Sequence, residues 1–482
     1  MYKPSVMKRR WTSFVVAVTA TMVSLFGASA YASEAVEEEV IEEVIVYGIK
    51  NSLLDAISIK RSNVGVVEAI SAEDFGKFPD GNLAESLARI SGIAIDRSNV
   101  EGQAVAVRGF GPEFNLVTLN GRQMPTVPGQ YGGGRSFNFG DIASPGVSAV
   151  ETYKSSNSAL PSGGIGATIN MVTTKPLSVE GTKQSYSLNF VEDTTSQAGG
   201  QPLEASLLFA TNRDRWGFSL SASYQDRTNR EEGTRESNWI TPEDLQNSEG
   251  YLRVDSSNPA YVNNNLRPDG VTFYQEPSAY LIKDNDRQRI NAQATFQYLL
   301  TDSLTATVDY TTSGVDFASE GTLFGSWLGG WDTTSATISE NGAYTDVVVG
   351  NRGYDHTVTW GDSETDNKSW GFNLLWDVSE SLQLAFDAHV STAELSGNVF
   401  DNELGFGTDT RANVTSLNGG ESNINTFSYD AVFGPENMLG TSLFMRDGYQ
   451  ENEITQFQFR GSWFTESAGP LKSIDFGVSV AE

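Results

Sequence analysis

From Lys183 onward, apolar and polar residues alternate with a period of two. Tyr186, Leu188 and Phe190 interleave with Ser185, Ser187 and Asn189, and Trp216, Phe218, Leu220, Ala222 and Tyr224 interleave with Gly217, Ser219, Ser221, Ser223 and Gln225. The pattern returns from Leu203 to Phe209, Ile290 to Tyr298, Leu304 to Tyr310, Trp370 to Val378, Leu382 to Val390, Phe457 to Trp463 and Ile474 to Val480, which makes nine predicted strands. Such a period puts the apolar members on one face of a pleated strand. Any antiparallel sheet with one wet face also alternates, so the connections decide between a soluble sheet and a barrel. Those at Arg213 to Arg215, Thr301 to Ser303, Ser379 to Ser381 and Glu466 to Pro470 are tight, whereas Thr228 to Asp286, Thr311 to Ser369 and Thr392 to Glu453 are long. Short turns at one end and long loops at the other are the pattern of outer-membrane β-barrels. Asn291, Gln293, Thr295, Gln297, Asp309 and Asp387 are then expected to line a wet lumen. Tyr224, Tyr298, Tyr310 and Trp370 fall at strand ends, either in interfacial girdles or in ordinary packing. An open edge in lipid leaves backbone groups unpaired, and nine strands do not make an even-numbered closed barrel, so further strands are expected beyond Glu482.

Between about Lys50 and Pro176 the period changes. Leu83, Leu87 and Ile90 recur at helical spacing, with Asp80 as the expected N-cap and Gly92 at the stop. Strand-like runs follow at Ala104 to Arg108, Leu116 to Leu119, Val147 to Tyr153 and Ile169 to Thr173, with turn signals at Asn120-Gly121 and Gly163 to Gly166. This is the pattern of a small α+β domain. The reading divides the chain into residues 1–32, 33–49, 50–176 and 177–482.

Composition removes several function classes. The first ten residues carry Lys3, Lys8, Arg9 and Arg10 and no acid, and an apolar run from Trp11 to Gly27 leads to Ala28-Ser29-Ala30-Tyr31-Ala32. That is the pattern of a cleaved secretory signal; a membrane anchor is the alternative, for which the run is marginal in length. Without those four basic residues the formal charge goes from -29 to -33, which disfavours nucleic acid and anionic lipid as partners. The chain has no cysteine, so a cysteine nucleophile, a thiolate metal site and a disulfide framework are excluded. With His356 and His389 as the two histidines, a Ser-His-Asp triad would have to use one of them, and no enzyme or cofactor is expected. Gly109-x-Gly111 and Gly164-x-Gly166 lack the third glycine of a dinucleotide fingerprint and read as turns. Asp387 and His389 share one face of a predicted strand, which a hydrated lumen explains without proton chemistry.

Several segments resemble the TonB-dependent outer-membrane receptors. The stretch from Asp80 to Pro125 is similar to their plug domain, through Asn82 to Ile90, Val105-Ala106-Val107-Arg108-Gly109-Phe110-Gly111 and Leu116-Val117-Thr118-Leu119-Asn120-Gly121-Arg122. So is Gly163-Gly164-Ile165-Gly166-Ala167-Thr168-Ile169-Asn170-Met171, with Lys175-Pro176 behind it. Val44-Ile45-Val46-Tyr47-Gly48 resembles the TonB box and follows a stretch with six Glu among the ten residues from Glu34 to Glu43. An acidic tether of that kind keeps a β-branched run within reach of a partner's sheet edge; a short plug strand is the other reading of the run. The resemblance implies an α+β plug domain followed by antiparallel transmembrane β-barrel strands, nine here of about 22 in the family's barrel. It also implies energised nutrient import across the outer membrane, with TonB and its inner-membrane complex as partners, outer-membrane lipid around the barrel and a small nutrient as ligand. Family plugs carry arginines that pair with barrel-wall glutamates; Arg108 stands at the first such position and Lys154 at the second, a point charge where a bidentate fork is usual. Ser62-Asn63-Val64, Gly76-Lys77-Phe78-Pro79-Asp80 and Gly111-Pro112-Glu113-Phe114-Asn115 are similar to a subfamily linked with oligosaccharide uptake. The ligand candidates are Tyr131, Arg135 and Phe137 in a Gly-rich plug loop and Trp327 and Trp331 in an external loop, with Trp239 and Trp360 as further loop aromatics. A ferric siderophore is the alternative cargo, and a non-transporting binding protein the alternative class.

Overall fold

Short apolar runs between residues 67 and 173 build a small mixed sheet, and the alternating segments after them build a much larger one around it. The computed structural model describes residues 52–63, 65–72, 82–97, 101–127, 135–196, 202–235, 239–240, 261–263, 274–275, 279–325, 333–338, 344–352, 354–398, 401–408, 412–417, 426–432, 434–465 and 471–482. The expected leader, the acidic tether and Val44 to Tyr47 lie outside the described residues.

The plug contains helix α1 (52–62), β1 (Val67–Ser71), helix α2 (Leu83–Leu87), β2 (Ile93–Asp96), β3 (Ala104–Val107), β4 (Asn115–Leu119), β5 (Arg122–Gln123), β6 (Val147–Tyr153) and β7 (Ala167–Thr173). Its main sheet runs β1-β6-β7-β4-β5, with β4 and β7 parallel, and β2 and β3 pair separately. Leu83 and Leu87 of α2, Val105 and Val107 of β3, Val150 of β6 and Ile169 and Met171 of β7 share one core with Phe139. Asn82 caps α2, its side-chain oxygen accepting from the Ala84 amide at 2.8 Å, and so takes the place expected for Asp80, which lies outside the described residues. The four expected strands correspond to β3, β4, β6 and β7; β1, β2 and β5 are short and carry no long alternation by which to find them.

The wall consists of β8 (Thr182–Phe190), β9 (Leu203–Arg213), β10 (Trp216–Arg235), and then, past the loop strands β11 (Trp239–Ile240), β12 (Tyr261–Asn263) and β13 (Tyr274–Gln275), of β14 (Ala279–Thr301) and β15 (Leu304–Gly325). After β16 (Thr333–Ile338) and β17 (Tyr344–Arg352) come β18 (Asp355–Ser379) and β19 (Leu382–Gly397). After β20 (Asn402–Thr408), β21 (Ala412–Leu417), β22 (Thr426–Tyr429) and β23 (Met438–Phe444) come β24 (Gly448–Phe464) and β25 (Ser473–Ala481). The path β25-β24-β19-β18-β15-β14-β10-β9-β8 is an antiparallel meander of the nine strands expected from the alternation, and among the described residues β8 and β25 do not pair with each other.

Burial along this wall is inverted relative to a soluble protein. Phe296, Trp370, Val390 and Phe457 are 43%, 58%, 44% and 52% exposed, whereas Asp309, Asp387 and Gln456 on the opposite face are 3%, 3% and 1% exposed. Apolar groups outward and polar groups inward is the arrangement a bilayer stabilises. Tyr298 lies on the outward face beside Trp216 in register, and Tyr310 and Trp370 are register partners with ring centroids 4.3 Å apart. No helix among the described residues is long and apolar enough to cross a membrane.

The strands are taller than the alternation indicated. β10 and β14 stay paired past Thr228 and Asp286 up to Arg235 and Ala279, and β18 is 25 residues long where about 10 residues suffice to span a bilayer. Above the apolar band the outward positions become Asp226, Arg230, Asp284, Glu364 and Asp366. The hydrophobic signal stops there, but the ladder hydrogen bonds continue.

Candidate functional site at the plug and wall interface

The β4–β5 connection is the two-residue turn Asn120-Gly121, with φ of 55° and 80°. Positive φ at both central residues is what a tight hairpin of this hand requires, and Asn-Gly meets it at low cost. The turn is pinned to β7, because the Gly121 amide donates to Asn170 Oδ1 at 2.8 Å and the Asn120 carboxamide donates to Thr173 Oγ1 at 3.0 Å. Arg122 follows directly and projects into the wall. Its Nη1 donates to both oxygens of Asp309 on β15 at 2.6 and 2.7 Å, while Nε and Nη2 grip Asp387 on β19 at 2.8 and 3.0 Å. Asn373 on β18 donates to the same Asp387 carboxylate at 3.1 Å. All three charged side chains are at most 4% exposed. A planar guanidinium can serve two carboxylates through its separate edges, which a lysine ammonium cannot do with the same geometry.

A second contact lies at Glu101 of the plug. Arg227 on β10 donates to Glu101 Oε1 at 2.8 Å, and Arg287 on β14 forms an ion pair with Glu101 Oε2. Burial pushes the Glu101 carboxyl up, but Arg287, Arg227 and Arg289 together outweigh that and hold it below the ordinary carboxylate range. Between these two contacts the plug is tied by its backbone: Arg289 donates to Gly140 O at 2.5 Å, the Ala143 amide donates to Asn291 Oδ1 at 2.7 Å, and Ser313 Oγ donates to Asp141 O. Beside Arg122, on the next wall strand β24, the Gln123 amide donates to Gln456 Oε1 at 3.0 Å, and Gln458 donates to Gly121 O at 3.1 Å. The interface is therefore held by polar and charged groups that water can take over when the two parts separate. An apolar interface would offer no such exchange.

Asp141 adds a pH dependence. Burial pushes its carboxyl from 3.8 up to about 6, against the opposing pull of Arg289. A carboxyl raised in the folded state favours folding below its unfolded value and gives up that preference as pH rises through the folded one. The thermal midpoint of the wild-type protein is thus expected to fall relative to Asp141→Asn between about pH 4 and about pH 6, the two ends of that shift. Melting curves of both proteins across this range check it, and a difference that stays constant with pH would count against the assignment.

The candidates from the sequence distribute unevenly. Arg108, at φ 53°, donates to the Lys154 carbonyl at 2.9 Å, and the Lys154 ammonium donates to the Ser91 carbonyl at 2.6 Å. Both of these bonds stay inside the plug, and the grip on wall carboxylates belongs to Arg122 instead. Phe137 is 7% exposed and packs edge-on against Phe139 with centroids 5.1 Å apart, so it sits in the plug core rather than on an apical face. Arg135 is exposed and donates to the Gly163 carbonyl at 2.9 Å, beside the Gly-rich turn. Tyr131, Trp327 and Trp331 lie outside the described residues. Asp387 and His389 are not solvated by an open lumen as expected: the plug fills that space and leaves them 3% and 2% exposed. Glu101, Arg227 and Arg287 carry no motif that singles them out; the available cue is that Arg227, Arg287 and Arg289 fall on the inward face when the alternation is continued upward.

A plug domain seated against a tall antiparallel wall whose outward face is apolar is the architecture of an outer-membrane β-barrel. Residues 59–168 match the family described as TonB-dependent Receptor Plug Domain. No curated protein sequence matches the chain. Among solved structures, the siderophore receptor PirA from Acinetobacter baumannii is 11% identical, covers 87% of this chain with 75% of its own length and gives a TM-score of 0.30. A mutant of the ferric enterobactin receptor PfeA from Pseudomonas aeruginosa is 15% identical, with 88% and 58% covered and a TM-score of 0.36. The unliganded ferric citrate transporter FecA is 10% identical, with 88% and 79% covered and a TM-score of 0.27. The chain thus spans only part of the length of each of these proteins.

Proposed function

We propose that this chain is the plug and leading wall of an importer that brings a small nutrient across the outer membrane using energy delivered by TonB to Val44-Ile45-Val46-Tyr47. The observation that supports it most is the polar interface between plug and wall, held through Arg122 and Glu101, which suits a plug that is displaced and reseated. Deletion of Val44 to Tyr47 in the full-length protein is expected to reduce uptake to background while ligand still binds at the cell surface. Uptake at the wild-type rate would sink the energised-import reading.

The oligosaccharide expectation finds no support in the comparisons, where the proteins named are receptors or transporters for ferric siderophores, ferric citrate, copper and a heme-carrying hemophore. An anionic metal chelate is accordingly the first cargo class to test, and an oligosaccharide the second. Arginines on the lumen face beside the plug favour that order, since guanidinium forks bind carboxylates and phosphates well. Binding of ferric chelates and of neutral oligosaccharides to the purified full-length protein separates the two.

A further inference from the structure

Arg227 on β10 and Arg287 on β14 are directly opposite each other in the ladder, on the face turned to the plug. Like charges in that position destabilise a strand pair unless an anion lies between them. The wall supplies only part of the compensation: Glu204 on β9 accepts from Arg227 at 2.5 Å and from Gln225 at 2.6 Å. The carboxylate shared by the two guanidinia is Glu101, which belongs to the plug. Arg287 keeps a further donor, because its Nε is buried and has no hydrogen-bond partner among the described residues. The Arg227 side chain is 30% exposed, so solvent reaches the pair.

We propose that Arg227 and Arg287 form an anion-binding site that Glu101 fills while the plug is seated and that a carboxylate or phosphate group of the cargo fills when the plug shifts. This rests on the import reading and gives it a cargo chemistry. The two guanidinia are fixed on paired wall strands, whereas Glu101 travels with the plug. Moving Glu101 away leaves two like charges facing each other, which opposes the movement. An anion with two or more acceptor oxygens removes that opposition by taking the same donors. Cargo and Glu101 therefore compete, and by linkage the anion favours the shifted plug over the seated one.

The test is a calorimetric titration of citrate, as a small polyanion, into the purified full-length protein. Glu101→Gln vacates the site without the plug having to move and is expected to tighten citrate binding by about tenfold or more. The gain is expected to vanish in Glu101→Gln/Arg287→Gln. Glu101→Asp, which withdraws the carboxylate by one methylene, is expected to give a smaller gain and serves if Glu101→Gln does not fold. Binding no tighter than wild type in both Glu101 variants, or a gain that survives Arg287→Gln, would overturn the proposal. Deletion of Val44 to Tyr47 is expected to leave citrate binding unchanged, so failure of the anion site and failure of energised import are read from different experiments.

Discussion

Arg122→Ala is expected to unseat the plug. The substitution leaves Asp309 on β15 and Asp387 on β19 buried, at 4% side-chain exposure each, with their shared cation gone. Removing one member of a buried charged group costs about 3–5 kcal/mol, because the remaining charges lose their partner and do not regain water. That cost falls on docking of the plug, since among the described residues Arg122 is what the plug contributes to the group, while the wall ladder around Asp309 and Asp387 is intact without it. Two measurements check it in the full-length protein: faster hydrogen exchange across β4 and β5, and increased ion conductance through protein in a planar bilayer. Arg122→Lys should lie between the two, because one ammonium cannot hold both carboxylates through separate edges. Adding Asp309→Asn and Asp387→Asn to Arg122→Ala should recover part of the loss by removing the stranded charges. If exchange at β4 and β5 and conductance are both unchanged in Arg122→Ala, the grip does not seat the plug.

The wall was legible because a bilayer-facing strand writes its burial into the sequence twice over, as an apolar outward row and a polar inward one. All nine strands of the meander were found this way, and the tight turns before Trp216, Leu304 and Leu382 fell where strand pairing ends. Strand height was not legible, because β10, β14 and β18 keep their backbone ladders after the outward side chains turn charged. The interface was half visible. Asp309 and Asp387 could be assigned to the inward face by parity, but their partner lies 187 and 265 residues away, and parity carries no information across that separation. Arg122 stood in plain view after Asn120-Gly121, while the family resemblance pointed to Arg108 and Lys154. What redirected Arg108 is local: its backbone sits at φ 53°, and its guanidinium bonds to the Lys154 carbonyl inside the plug. The burial of Phe137 also has a local cause. An aromatic beside a Gly-rich loop reads as exposed, yet two residues further on Phe139 anchors the plug core and holds Phe137 against it.

Gly371→Ala is expected to have an effect of the same order as Arg122→Ala, although it adds one methyl group. Gly371 lies on the inward face of β18, in register with Asp309 on one side and His389 on the other. A Cβ built there overlaps Arg122 Nη1 and stands 2.7 Å from Nη2. The guanidinium cannot step aside, since both its edges are committed to Asp309 and Asp387. Nor can the strand retreat, because β18 is paired along its length with β15 and along much of it with β19. Alanine in place of glycine inside a strand normally stabilises by about 0.5–1 kcal/mol. Here the methyl competes for the space that the clamp occupies, so the expected result is a loss of about 3 kcal/mol in plug docking, the lower end of the cost of breaking a buried charged group. The two substitutions share one mechanism and should not add: Gly371→Ala introduced into Arg122→Ala should cost nothing further in docking and should slightly stabilise the wall. Hydrogen exchange at β4 and β5 in the four members of this cycle measures the coupling. Additive losses would mean that Gly371 serves something other than the Arg122 clamp.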